Sequence, residues 1–191
     1  MDLLLQIWAG GFYLLNKVLF AVSQSQVEDT KRKINLSAWT CYLVGVPAWV
    51  VILVGKQNWI AASIEAGGIP AMLLGLYNVY HRNQKPNKRF EQIVTVCTYG
   101  SLVLGVGYSL MHEGGLNALS QVLEIGVMLG FLLGSYYMAK NDNKGWLFFM
   151  LMNISMATLM LIQDKYVLAG QQLLSLAFVV YGFVMAIRKQ A

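Results

Sequence analysis

The chain has 191 residues, of which 57% are hydrophobic and only 12% are charged, and its mean hydropathy is +0.54. Soluble domains contain about 25% charged residues, and one of this length could not bury so large an apolar fraction in a single core. The composition therefore predicts a polytopic membrane protein. The net charge of +5 indicates no nucleic-acid partner, because the basic residues lie in short segments between apolar spans.

Seven apolar stretches follow one another along the chain, each about long enough to cross a ~30 Å hydrocarbon core as a helix. They are 3–24, 36–55, 58–81, 90–111, 115–139, 145–163 and 166–187. The first follows Met1-Asp2 without the basic residues of a signal peptide, so we predict a retained helix. The sequence thus predicts an all-α protein with seven transmembrane helices and no separate soluble domain.

Lysine and arginine residues fall mainly on one side of these spans. With the amino terminus outside, the inner side receives Lys31, Arg32, Lys33, Arg82, Lys85, Lys88, Arg89, Lys140, Lys144, Arg188 and Lys189. Only Lys56 and Lys165 then lie outside. Because basic loops stay in the cytoplasm, we predict a multi-pass protein of the cell (inner) membrane with its carboxyl terminus inside. Lys17 lies within the first span, and we expect its amine to snorkel to the inner interface.

The second and third spans resemble the sixth and seventh at a constant offset. A shift of 107 positions lays Trp39 on Trp146, Trp59 on Tyr166, Gly75 on Gly182 and Arg82 on Lys189. This repeat predicts two parallel three-helix bundles, 1–89 and 115–191, joined by a linker helix in 90–114. Repeat-built transporters place their substrate at the midplane between the halves.

The sequence contains no constellation that indicates an enzyme. It has no phosphate-binding GxxxxGK[ST] motif and no histidine cluster, and His81 and His112 fall at opposite membrane faces. We therefore expect no enzymatic activity, no metal and no cofactor. Pro47 and Pro70 lie inside predicted spans, where each is either a static kink or a hinge for alternating access.

Polar side chains inside the spans are the candidates for function, because hydrocarbon offers them no water. They are Glu65, Glu124, Asn153, Gln171 and Gln172. The alternative is that they form structural ion pairs or hydrogen bonds between helices, and Lys17 is available to one glutamate.

Trp146, Phe149 and Asn153 are three and four residues apart and therefore share one face of the sixth helix. Two rings and an amide can hold a flat heteroaromatic molecule, and a buried carboxylate such as Glu124 favours a cationic one. The alternative is that the rings are ordinary packing residues. The predicted substrate site consists of Trp146, Phe149 and Asn153, with Gln121, Glu124, Tyr77 and Gln171 in support.

The carboxyl-terminal part of the chain resembles a known family. The resemblance to the PnuC nicotinamide riboside transporters lies in Trp146, Asn153, Gln163, Tyr166, Gly182 and Arg188-Lys189, and in Gly75-Leu76-Tyr77 before His81-Arg82. It implies a SWEET-like 3+1+3 arrangement, a homotrimer, and uptake of a vitamin down its gradient, with trapping by a cytoplasmic vitamin kinase. It also implies that Phe149 and Asn153 correspond to the family's binding site.

The chain departs from the family pattern in its rings and charges. Phe149 stands where tryptophan is usual, and Glu65 and Glu124 replace or vary the usual polar residues. An acidic site favours a cationic vitamin, so thiamine is an alternative to nicotinamide riboside. The further alternatives are a proton-coupled carrier that uses Glu65 or Glu124 and a non-transporting membrane subunit.

Overall fold

A computed structural model describes residues 2–55, 59–82, 87–112, 119–164 and 166–188. They form eight helices: α1 Asp2–Ser23, α2 Glu28–Gly55, α3 Trp59–Gly67, α4 Ile69–Tyr80, α5 Lys88–His112, α6 Leu119–Ala139, α7 Lys144–Ile162 and α8 Tyr166–Arg188. These ranges contain no strand. Helices suit so apolar a chain, because a helix pairs its backbone N–H and C=O groups internally and needs no water to do so.

Among the described residues, five helices are long and apolar enough to cross a membrane, namely α2, α5, α6, α7 and α8. The apolar stretch Ile7–Ser23 of α1 is shorter, as are α3 and α4. The prediction of an all-helical, multi-pass membrane protein is confirmed at this level.

The third predicted span, 58–81, is not one helix. It is broken between α3 and α4 at Gly68, whose Cα faces the ring of Phe131 so closely that an added Cβ would lie 2.6 Å from it. Pro70 follows in the first turn of α4, where its missing N–H costs no intrahelical hydrogen bond. Pro47, by contrast, lies inside the continuous helix α2. The two prolines therefore have different places in the fold.

Six of the helices form a closed cycle of contacts. The order around the cycle is α1, α2, α4, α6, α7 and α8, and α8 returns to α1. α5 lies outside this cycle and packs against α3, α4 and α6. Aromatic side chains of α1, α2, α6 and α7 meet inside the cycle, so the core of the fold lies at its centre.

The shift of 107 positions found in the sequence also relates two contacts in the structure. The indole of Trp39 on α2 lies against Gly75 on α4, and the indole of Trp146 on α7 lies against Gly182 on α8. At both glycines an added Cβ would overlap the indole ring. The two pairs are related by the same shift of 107 positions. Each half of the chain thus uses one tryptophan–glycine contact to bring two helices close together.

Arg32 connects the start of α2 to the end of α4. Its guanidinium donates hydrogen bonds to the carbonyl oxygens of Val79 (3.2 Å) and Tyr80 (2.9 Å). The Val79 carbonyl also accepts the Arg82 backbone N–H at 3.3 Å. Both carbonyls lie at the negative end of the helix dipole, so a cation stabilises them.

We expect Arg32→Met to lower the free energy of unfolding by about 1–2 kcal/mol, because the substitution removes both charge-assisted bonds. The measurement is thermal unfolding of the purified protein in detergent. Lys33→Met is the matched control, because Lys33 is exposed on the neighbouring position. Equal stability of the two variants would contradict this role of Arg32.

Candidate functional site

Two rings meet face to edge at the centre of the helix cycle. Tyr42 on α2 and Phe149 on α7 are both completely buried, with ring centroids 6.4 Å apart and planes at 61°. They too are related by the shift of 107 positions. One ring from each half of the chain therefore contributes to the same central contact.

Lys17 of α1 inserts its amine between these rings. Its Nζ lies 3.1 Å from the ring centroid of Phe149 and 4.7 Å from that of Tyr42. The side chain is only 2% exposed, and among the described residues Nζ has no hydrogen-bond partner. A buried amine needs such partners, so the rings provide its only favourable electrostatic contact here.

The prediction that Lys17 snorkels to the inner interface is wrong. α1 continues to Ser23, which leaves about 9 Å of helix between Lys17 and that end. The face of α1 that carries Lys17 is turned toward α2 and α7, as its contacts with Tyr42 and Phe149 show. The amine consequently lies inside the protein.

Two buried amides adjoin the lysine and its rings. Asn153 Nδ2 donates to the carbonyl of Phe149 (2.7 Å), and Asn16 Nδ2 donates to the carbonyl of Ala38 (2.9 Å). Both side chains are 0% exposed, and among the described residues the Oδ1 atom of each has no hydrogen-bond partner. We call Asn16, Lys17, Tyr42, Phe149 and Asn153 the central cluster. It combines an unpaired donor, two unpaired acceptors and two ring faces.

The central cluster continues toward α3 and α6 through tyrosines. The Tyr42 hydroxyl lies 3.2 Å from Ser135 Oγ, and the Tyr42 ring meets that of Tyr13 edge-on at 4.9 Å. The Tyr13 hydroxyl donates in turn to the half-buried carboxylate of Glu65. Tyr13 therefore connects the Tyr42 ring of the cluster to the Glu65 carboxylate.

Three of the residues predicted for the site connect helices elsewhere. Trp146 is buried against Gly182. Gln121 Nε2 donates to the Ser109 carbonyl (3.0 Å) and so joins α6 to α5. Gln171 Nε2 donates to the Gly10 carbonyl (2.9 Å) and joins α8 to α1.

Tyr77 and Glu124 also lie apart from the central cluster. The Tyr77 ring is half-buried and lies 4.2 Å from the His81 ring, near the end of α4. Glu124 is on the exposed side of α6. Of the seven residues predicted for the site, the structure brings Phe149 and Asn153 together in the cluster. The sequence reasoning did not place Asn16, Lys17 or Tyr42 there, although Asn16-Lys17 is a polar pair within an apolar helix.

A separate cavity of about 320 Å³ opens between α5 and α6. Its lining includes Glu91, Tyr136 and Lys140, and Lys140 Nζ lies 2.5 Å from Glu91 Oε1. The hydrogen bond to Glu91 raises the pKa of Lys140 above its ordinary value. The central cluster is closed by comparison, because its five side chains are at most 2% exposed.

No family model, no curated protein and no solved structure matches this chain. The resemblance to PnuC transporters therefore stays a prediction that depends on the residues quoted for it. The fold and the cluster together define a helical, multi-pass membrane protein with unpaired polar groups at its centre.

Proposed function

We propose that this chain is a transporter that carries a small, flat heteroaromatic solute across the membrane by facilitated diffusion. The observation that carries the proposal is the set of unpaired polar atoms in the central cluster: Lys17 Nζ and the Oδ1 atoms of Asn16 and Asn153. Buried polar groups are normally satisfied, and in membrane helices such groups mark substrate pathways. A solute that passes between the helices would supply the missing partners.

The arrangement of helices supports a pathway between two parallel three-helix units. In the proposed 3+1+3 order, the first unit comprises α1, α2 and the α3–α4 pair, the second comprises α6, α7 and α8, and α5 is the linker. Consecutive helices touch within each unit, and the units meet at α1–α8 and at α4–α6. The first helix of each unit contacts the last helix of the other, which is the pattern that a pseudo-two-fold axis between the units would produce. Rocking of one unit against the other would open the cluster to each side in turn.

The site chemistry supports a flat ring as the substrate. The faces of Tyr42 and Phe149 suit stacking, and the free Oδ1 of Asn153 accepts a hydrogen bond from a polar substituent. The resemblance favours nicotinamide riboside, or alternatively thiamine, trapped after entry by a cytoplasmic vitamin kinase. It also favours a homotrimer, and the basic residues favour an amino terminus outside.

Uptake into proteoliposomes tests the transport function. Purified protein should equilibrate at least one member of a panel of labelled heteroaromatic vitamins, which includes nicotinamide riboside and thiamine, across the bilayer without an ion gradient. If the proteoliposomes also enclose ATP and the kinase that phosphorylates the transported vitamin, the vitamin should accumulate inside them instead of only equilibrating. Protein-free liposomes provide the background. Absence of uptake for the whole panel would contradict the proposal and favour a non-transporting membrane subunit.

The contact between Tyr13 and Glu65 favours a second candidate, a proton-coupled carrier, because a carboxylate bound in the interior can exchange a proton. Under facilitated diffusion, we expect dissipation of the pH gradient to leave uptake unchanged. Glu65→Gln should also retain uptake, since a carboxamide oxygen still accepts the bond from Tyr13. Loss of gradient-driven uptake in Glu65→Gln would instead establish proton coupling.

A further inference from the structure

Lys17 carries the amine in the central cluster, and the described residues give it no counter-charge. No described carboxylate lies within ion-pair distance of its Nζ. The nearest candidate along the tyrosines, Glu65, is bound by the Tyr13 hydroxyl. A buried ammonium without an anion is costly, so without one the amine is held as the neutral base. An anion that joins the cluster would stabilise the protonated amine.

The position of the amine also limits what can stack on the rings. Lys17 Nζ covers the face of Phe149 at 3.1 Å and faces Tyr42 at 4.7 Å. A cationic ring at this place would gain no charge pair and would oppose protonation of the amine, because like charges repel strongly in a medium of low dielectric. A ring with an acidic substituent would instead pair with the protonated amine, and it would stack on Phe149 once the amine leaves the face that it covers in this structure.

We infer that the transported solute is a planar heteroaromatic anion whose carboxylate, or a comparable acidic group, binds Lys17 Nζ while its ring lies against Tyr42 and Phe149. This inference rests on the proposed transport function and reverses the charge that Glu124 and the family resemblance favour. Asn153 Oδ1, which has no hydrogen-bond partner among the described residues, would accept a hydrogen bond from a polar group on the ring.

Three pyridines of almost equal shape test this charge preference: nicotinate (anion), nicotinamide (neutral) and 1-methylnicotinamide (cation). Their affinities for the purified full-length protein are measured by calorimetric titration. We expect the wild type to bind nicotinate at least tenfold more tightly than 1-methylnicotinamide, with nicotinamide between them. A preference for the cation, or equal affinity for all three, would overturn the inference and leave the transport function intact.

Variants of Lys17 identify the residue responsible. Lys17→Met keeps an unbranched side chain without the amine, and we expect it to weaken nicotinate binding at least tenfold while nicotinamide binding changes little. Lys17→Arg should retain the preference for the anion. Lys33→Met removes a positive charge at an exposed position and should behave as the wild type. Thermal unfolding checks the fold, and Lys17→Met should be at least as stable as the wild type, because it removes a buried unpaired amine.

Two outcomes separate this inference from the proposed function. If Lys17→Met still prefers nicotinate, the anion is recognised elsewhere and the inference is overturned. If none of the three pyridines binds, the inference is also overturned, and uptake of the wider vitamin panel then decides the transport function independently.

Discussion

Asn153→Leu is expected to abolish uptake of the labelled solute and to leave the amount of folded protein unchanged. The substitution keeps a branched side chain of similar length and removes both polar atoms of the amide. Among the residues that the structure describes, Asn153 makes a single, local hydrogen bond to the Phe149 carbonyl, one turn earlier on α7. The free Oδ1 is the atom that faces the substrate in our account, so transport should fail while folding does not.

Thr158→Val is the matched control for this variant. Thr158 Oγ1 also bonds the carbonyl one turn earlier on α7, that of Ile154 (2.9 Å), but at a half-buried position away from the central cluster. Loss of that bond should leave uptake near the wild-type rate. The measurement is initial uptake per amount of protein in proteoliposomes. Unchanged uptake by Asn153→Leu would remove Asn153 from the substrate site.

Gly182→Ala and Gly75→Ala are each expected to destabilise the protein by about 1–3 kcal/mol, the usual cost of overpacking a buried site. The added methyl group would overlap the indole of Trp146 in the first case and of Trp39 in the second. An indole is rigid, so the helices themselves must move apart. The readout is the thermal midpoint of unfolding, which should fall by roughly 3–10 °C for a chain of this size.

Gly107→Ala controls for the change in backbone entropy. Gly107 lies in α5, and an added Cβ there has no neighbour within 4 Å, so alanine should stabilise the helix slightly. Because the two tryptophan–glycine contacts are equivalent, the losses at Gly75 and Gly182 should be similar in size. A midpoint for Gly182→Ala as high as that for Gly107→Ala would show that the α7–α8 contact is looser than described.

The helices themselves were predictable because a long apolar run in this chain has one stable outcome, a helix. Six predicted spans correspond to α1, α2, α5, α6, α7 and α8, within a few residues except at the start of α2, which begins at Glu28 rather than at 36. The break between α3 and α4 at Gly68 could not be predicted, because the apolar run from 58 to 81 continues through it. The sequence features that accompany this break are Gly68 and Pro70. The proline was interpreted as a kink or a hinge within one helix.

The direction in which a side chain points was harder to predict than the helix. In a membrane protein the lipid-facing and core-facing sides are both apolar: Val94 of α5 is 0% exposed, whereas Val103 of the same helix is 72% exposed. Hydropathy therefore could not distinguish the inward Lys17 from a snorkelling lysine, nor the exposed Glu124 from a buried carboxylate. Phe149 and Asn153 were placed on one face by their spacing alone, because four residues make one turn.

Accessibility of a thiol at the centre of the protein tests the account most directly. Val46 on α2 is 2% exposed and is related to Asn153 by the shift of 107 positions. Val46→Cys is made after Cys41 and Cys97 are replaced by alanine, and the protein in proteoliposomes is treated with a small, membrane-impermeant methanethiosulfonate. Val103→Cys, on the exposed side of α5, is the control for a thiol outside the pathway.

We predict that the thiol at position 46 reacts in the folded, transporting protein and that saturating substrate slows the reaction about tenfold or more. The thiol at position 103 should show no substrate protection. A thiol at position 46 that reacts only after denaturation would mean that the central cluster is a permanently sealed core, and it would contradict transport through the middle of the helix cycle.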